Sequence, residues 1–226
     1  MKLQRLGGYA AIVSTIVFVP MIALSLQLEK RFGSLEDPAK FMAAATTAPF
    51  NIGAFNALFI AHFILMLVSN FALCECMRNK APRLARMAVI ASSAGTAFLI
   101  ATSIVYLNNV RITFQHAVPL QDFAGFASTM NAIVVGLTQT GIHCYGWAAL
   151  LMGWAILQTR LFSAILGWFS VLLGLLAIAH FILIWFPSLI TAALHPLVCV
   201  ATLWIGIALL RQKQPQPALE EMAVSK

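Results

Sequence analysis

Long apolar runs separated by short polar segments are the main pattern of this sequence. Six runs are long enough to cross about 30 Å of bilayer hydrocarbon, which takes roughly 20 mainly apolar residues. They cover residues 6–27, 53–74, 87–107, 130–157, 162–186 and 189–210. The pattern predicts an all-α fold: one polytopic transmembrane helix bundle of six spans over 1–211. The polar, proline-containing tail at 212–226 is predicted to be disordered and cytoplasmic.

The composition excludes a soluble domain. Hydrophobic residues make up 61% of the 226 positions and charged residues only 9%. A soluble domain of this size carries about 25% charged residues, because it needs them to cover its surface. No phosphate-binding glycine loop, dinucleotide fingerprint, nucleophile elbow or zinc-binding His-Glu-x-x-His motif is present, so we expect no catalytic residues.

The net charge of +7 is distributed in a way that predicts membrane orientation. Of the 14 Lys and Arg residues, the larger share lies before the first run, between runs two and three, between runs four and five, and after the last run. This positive-inside pattern predicts an inner (plasma) membrane protein with both termini in the cytoplasm. Anionic lipid headgroups are the expected partners of the basic cytoplasmic face, and nucleic acid is not. Glycines in runs four and five predict close helix packing: Gly136, Gly146, Gly153, Gly167 and Gly174.

Four of the five histidines fall within the apolar runs, in the outer half or the middle of the predicted bilayer: His62, His143, His180 and His195. Polar groups in a bilayer are expected to face the bundle interior, so the four imidazoles can converge on one cavity. Neutral imidazole ligates haem b iron or a transition metal, and the pairs expected to do so are His62 with His143 and His180 with His195. Gln139 shares a stripe with His143 and can contribute to a quinone pocket. The alternative is that each histidine hydrogen-bonds a neighbouring helix and serves only packing.

Two other features bear on function. Arg111 follows the third run at the predicted outer face, where it either contacts an anion or anchors to lipid headgroups. No acidic residue lies within a predicted span, and no internal repeat is evident. Both observations count against a proton-coupled small-solute transporter.

Several short motifs occur near the span ends. The chain resembles an uncharacterised family of bacterial six-helix membrane proteins, a domain of unknown function, in Ala81–Arg86, Gly153 and Trp154, Leu166–Trp168, Gly174, Leu203–Gly206 and Leu209–Arg211. Phe162–Ala164 stand where that family usually has Pro-Arg. The resemblance implies a six-span fold and supplies no activity and no catalytic residues.

Three functions of different class therefore follow from the sequence. The first is a non-catalytic membrane component or accessory subunit that assembles with other membrane subunits. The second is a membrane redox protein that binds haem, a metal or a quinone through the four histidines. The third is a small-solute transporter.

Overall fold

A computed structural model describes residues 2–33, 38–115, 120–182 and 187–212. Within these residues the chain is helical and contains no strand. The helices are α1 (Lys2–Phe32), α2 (Pro38–Thr47), α3 (Pro49–Met77), α4 (Pro82–Phe114), α5 (Leu120–Thr159), α6 (Ala164–Ile182) and α7 (Pro187–Arg211). The all-α prediction is confirmed. Of the tail predicted at 212–226, all but Gln212 lies outside the described residues.

Within the described part of the chain, four helices are long and apolar enough to cross a membrane. Their qualifying segments are Leu3–Phe32, Pro49–Met77, Pro82–Ile112 and Ser128–Thr159. Two shorter apolar segments, Ala164–His180 and Pro196–Arg211, lie in α6 and α7. The helices are longer than the predicted spans at most ends, because polar residues at a membrane surface end an apolar run without ending a helix. The largest difference is at α5, which begins at Leu120, ten residues before the predicted span.

The six long helices form a ring in the order α1, α3, α4, α5, α6 and α7, with α7 returning to α1. The short helix α2 contacts α1, α3, α4 and α5 at one end of this ring. Helix α3 also contacts α5 and α7, which places it furthest inside. At the opposite end, the Gln4 side-chain amide donates to the carbonyl oxygen of Leu209 at 2.6 Å. The start of α1 and the end of α7 therefore lie together.

Glycines allow α5 and α6 to pack closely against each other. A Cβ atom built on Gly153 would lie 2.6 Å from the carbonyl oxygen of Gly167, and one built on Gly174 would lie 2.6 Å from that of Gly146. These two contacts join α5 and α6 in an antiparallel hairpin. The turn itself contains Arg160, which adopts the left-handed conformation with a φ of 51°. Gly136, the remaining predicted packing glycine, has no neighbour among the described residues within 4 Å of its own Cβ position.

The buried apolar side chains of the described residues form two cores, one at each end of the ring, besides a small cluster of Leu173 on α6 and Ala201 on α7. The larger one includes Leu73, Met77, Ile156, Leu166 and Leu209, at the end where α1 starts and α7 finishes. The smaller one lies beneath α2. Exposed basic residues surround the larger core, among them Arg5, Arg78, Arg83, Arg160 and Arg211. The space between the two cores contains most of the buried polar groups.

Candidate functional site

A cavity of about 300 Å³ lies between α1, α3, α4 and α5, on the side of the ring nearer α2. Its size is at the lower end of the range of small-molecule sites. Seven of the twelve described lining residues have a polar side-chain atom. The lining residues are Ser25, Leu28, Glu29, Ile52, Phe55, Asn56, Phe59, Thr102, Ser103, Tyr106, Val134 and Thr138.

Hydrogen-bond acceptors dominate the polar lining. The Thr102 hydroxyl donates its proton to the Phe98 carbonyl oxygen at 3.0 Å, and the Asn56 amide nitrogen donates to that of Ile52 at 3.0 Å. Thr138 donates to the Val134 carbonyl oxygen at 2.8 Å. Because the two hydroxyl protons are used within their own helices, the lone pairs of Thr102 and Thr138 remain for other partners, and Asn56 keeps its amide oxygen together with a second N–H.

Ser103 and Glu29 differ from the other polar lining residues. Ser103 is 1% exposed, and its hydroxyl oxygen is buried without a hydrogen-bond partner. An unsatisfied buried hydroxyl costs about 1–3 kcal/mol unless another group or a water satisfies it. Glu29 is exposed at the α2 end of the cavity and forms no ion pair within the described part of the chain.

His62 joins α3 to α1 and does not line this cavity. Its Nδ1 nitrogen lies 2.8 Å from the Ser14 hydroxyl and 3.1 Å from the Ser14 carbonyl oxygen. The Ser14 hydroxyl in turn donates to the His62 carbonyl oxygen at 3.3 Å. Since the Ser14 carbonyl can only accept, Nδ1 carries the imidazole proton in this arrangement. His62 is 1% exposed, and the Phe18 ring packs against it at 4.9 Å.

His143 lies on α5 beside the exposed Trp147. The indole nitrogen of Trp147 donates to Nε2 of His143 at 3.1 Å. This contact occupies the Nε2 lone pair, so a metal ion or haem iron can bind at Nε2 only if the indole moves away. The two histidines of the predicted pair therefore have different hydrogen-bond partners. His62 is bonded to Ser14 of α1, and His143 is bonded to Trp147 of its own helix.

The other predicted site residues have different surroundings. His180 is on α6 and is 2% exposed, whereas His195 is on α7 and its side chain lies outside the described residues. Gln139 lies seven residues before Gly146, on the same α5 face, and its Oε1 oxygen is buried without a partner. Arg111 is exposed in the last turn of α4, as its position after the third apolar run predicts. Among the described residues, no three His, Cys, Asp or Glu side chains are grouped to hold a metal ion.

A second group of buried polar side chains links α3, α4 and α5. The Asn70 amide donates to the Ser92 hydroxyl at 2.8 Å. Thr96 donates its proton to the Ser92 carbonyl oxygen at 2.9 Å, so the Tyr145 hydroxyl, 2.7 Å from Thr96, is the donor in that contact. The group is satisfied by its own members. It therefore fits a structural role.

Sequence reasoning missed the cavity. Its polar residues are mostly hydroxyl and amide side chains, which are common in membrane helices as packing groups. A signal was nevertheless present, because polar residues recur in the α2-side third of α1, α3 and α4: Ser25, Asn56, Thr102 and Ser103. Which of them face one another depends on the helix order and rotation.

Comparison with known proteins adds no identity: no family model, no curated protein and no solved structure matches the chain. The resemblance to the uncharacterised six-helix family stays a prediction.

Proposed function

We propose that this protein is a non-catalytic component of the inner (plasma) membrane that serves as an accessory subunit of a larger membrane complex. In this proposal all six long helices cross the bilayer, and both termini are cytoplasmic. The contact between Gln4 and Leu209 supports termini on one side. The basic residues around the same end support the cytoplasm as that side.

The observation that carries the proposal is the hydrogen bond from Trp147 to His143 on the outside of the ring. Trp147 is 45% exposed. It lies twelve residues before Thr159, the cytoplasmic end of α5, or about 18 Å at 1.5 Å per residue. That distance places the indole near the middle of about 30 Å of hydrocarbon. Tryptophan facing lipid prefers the membrane–water interface instead.

Further exposed apolar side chains continue the surface around Trp147. Trp154, 50% exposed, is seven residues further along α5 and so lies on the same helix face. On α6, Trp168 is 59% exposed and lies beside Gly167, which contacts Gly153. Large aromatic side chains with one polar atom are enriched at the centres of protein interfaces. We therefore assign Trp147, Trp154 and Trp168, here called the tryptophan face, to contact with another membrane subunit.

Photocrosslinking in intact membranes tests this assignment. A photoreactive amino acid at position 147 should produce one discrete adduct with a different membrane protein. The matched control is position 90 on α4, where Ile90 is 62% exposed outside the tryptophan face, and where we expect only lipid adducts. The same adduct from both positions, or no protein adduct from position 147, would contradict the proposal. An adduct at twice the 24.6 kDa mass of the chain would instead indicate a homodimer, which also contradicts it.

The histidines bear on the second hypothesis, in which the protein binds haem, a metal or a quinone. His62 is hydrogen-bonded to Ser14 of α1, and Nε2 of His143 accepts a hydrogen bond from the Trp147 indole. Both contacts agree with the packing role that is the alternative to cofactor binding. The redox and transporter hypotheses stay predictions.

A further inference from the structure

The cavity between α1, α3, α4 and α5 plays no part in the accessory-subunit proposal. We infer that it binds a small amphipathic amine in its protonated form, with the ammonium group near Glu29 and the apolar part among the aromatic side chains. The inference is independent of which partner, if any, covers the tryptophan face.

The first argument is the charge of the lining. Among the described residues that line the cavity, Glu29 is the one charged side chain. The basic residues at the same end of the ring, Lys30, Arg31, Lys40 and Arg111, are exposed and do not line it. The guanidinium of Arg31 instead lies 5.0 Å from the centre of the Phe32 ring. A cation entering the cavity therefore meets a carboxylate that has no ion pair within the described residues.

The second argument is the hydrogen-bonding capacity of the wall. The hydroxyl protons of Thr102 and Thr138 and one N–H of Asn56 are donated to backbone carbonyls, which leaves the side-chain oxygen atoms of all three as acceptors. The buried Ser103 hydroxyl has no partner and completes the group. An ammonium ion has three donors and no acceptor, so it suits such a wall better than an anion or a carbonyl compound does.

The third argument is the aromatic part of the lining. Phe55, Phe59 and Tyr106 line the cavity together with Leu28, Ile52 and Val134. The Phe55 and Phe59 ring centres are 6.0 Å apart. Aromatic faces attract cations and also accommodate an apolar group. The volume of about 300 Å³ limits the ligand to a small molecule, such as an amine with one ring or a short alkyl chain.

Isothermal titration calorimetry on the purified full chain in detergent tests the inference with three probes of similar shape. They are 2-phenylethylamine as the cation, 2-phenylethanol as the neutral molecule and 3-phenylpropanoate as the anion. We expect the amine to bind at least about tenfold more tightly than the alcohol, since charge-assisted hydrogen bonds are the stronger ones. We expect no binding of the anion.

Three variants separate the cavity from uptake of the probes by detergent. Glu29→Gln should weaken amine binding by about tenfold or more and leave alcohol binding nearly unchanged. Glu75→Gln is the matched control, because Glu75 is an exposed carboxylate at the opposite end that pairs with Arg78 at 3.2 Å. Ser103→Ala removes the unpartnered hydroxyl with little change in shape, so it should weaken amine binding in a chain that still folds.

Several results would overturn the inference. One is amine binding that is equally tight in wild type, Glu29→Gln and Ser103→Ala. Another is alcohol binding as tight as amine binding. A third is a loss of amine affinity in Glu75→Gln equal to the loss in Glu29→Gln. Absence of amine binding to the folded wild-type chain would overturn it as well. None of these results affects the crosslinking test of the tryptophan face.

Discussion

The Ser14 hydroxyl and the Nδ1 nitrogen of His62 lie 2.8 Å apart, and they join α1 to α3 in the interior of the ring. Both residues are almost completely buried, with exposed fractions of 0% for Ser14 and 1% for His62. Two further contacts, to the Ser14 and His62 carbonyl oxygens, complete the arrangement. His62 therefore contributes to the packing of α1 against α3.

Replacing Ser14 by alanine should destabilise the protein by about 1 kcal/mol, because His62 loses one partner and stays buried. The measurement is unfolding in mixed micelles of mild detergent and dodecyl sulfate, followed by circular dichroism. Thr15→Ala is the matched control, since the Thr15 hydroxyl bonds only the Ala11 carbonyl oxygen of its own helix. Equal destabilisation in the two variants would contradict a stabilising hydrogen bond between Ser14 of α1 and His62 of α3.

The contact between Gly146 and Gly174 leads to a second prediction. An alanine at position 174 would place its Cβ atom 2.5 Å from the Leu150 backbone nitrogen, which cannot move without shifting α5. We expect Gly174→Ala to cost about 1–3 kcal/mol of stability, the usual cost of overpacking. The same unfolding assay on Gly136→Ala is the control, because no described residue lies within 4 Å of the Cβ position there. A Gly174→Ala protein as stable as Gly136→Ala would refute the close approach of α5 and α6.

The Tyr145 hydroxyl is predicted to contribute to stability through Thr96. Tyr145→Phe removes the donor of the 2.7 Å contact between α5 and α4 and keeps the ring that packs against Gly95. A loss of about 1 kcal/mol is expected, measured by thermal unfolding in detergent. Tyr9→Phe serves for comparison, because Tyr9 is 59% exposed on α1. If both variants melt at the wild-type temperature, the contact makes no net contribution.

The proposed orientation predicts which end of the ring is accessible from outside the cell. In a variant without its four cysteines, Lys40→Cys should react with a membrane-impermeant maleimide added to intact cells, and Arg78→Cys should react only after lysis. Both positions are exposed in the structure, so burial does not account for a difference between them. The opposite labelling would reverse the proposed topology, and with it the depth assigned to Trp147.

The candidate site shows where prediction from the sequence ended. Histidine is unusual in an apolar run because imidazole is costly in hydrocarbon. His62 and His180 are both buried. Their partners were not predictable. Ser14 is 48 residues from His62 along the chain, and only the packing of α1 on α3 brings them together. Trp147 is one helical turn from His143, but the exposure of this pair depends on how α5 is rotated.

Glycine spacing was more informative in α5 and α6 than elsewhere. Gly146 and Gly153 are one heptad apart, as are Gly167 and Gly174, and the antiparallel hairpin matches them in two contacts. Gly136 follows the same type of pattern and packs against nothing described within 4 Å. A helix contact needs residues from two helices, and the sequence does not show which two helices are neighbours. The glycine spacing within one helix therefore cannot show which glycines pack against another helix.

The sequence alone determined the helical class, the apolar segments and the uneven distribution of basic residues, because these depend on the local hydrophobicity and charge of each segment. Only the tertiary structure decided the order of the helices, the separate partners of the histidines and the cavity beside Glu29. Those features depend on the rotation of each helix about its axis. Apolar side chains cover nearly every face of such helices, so the hydrophobic pattern leaves that rotation open.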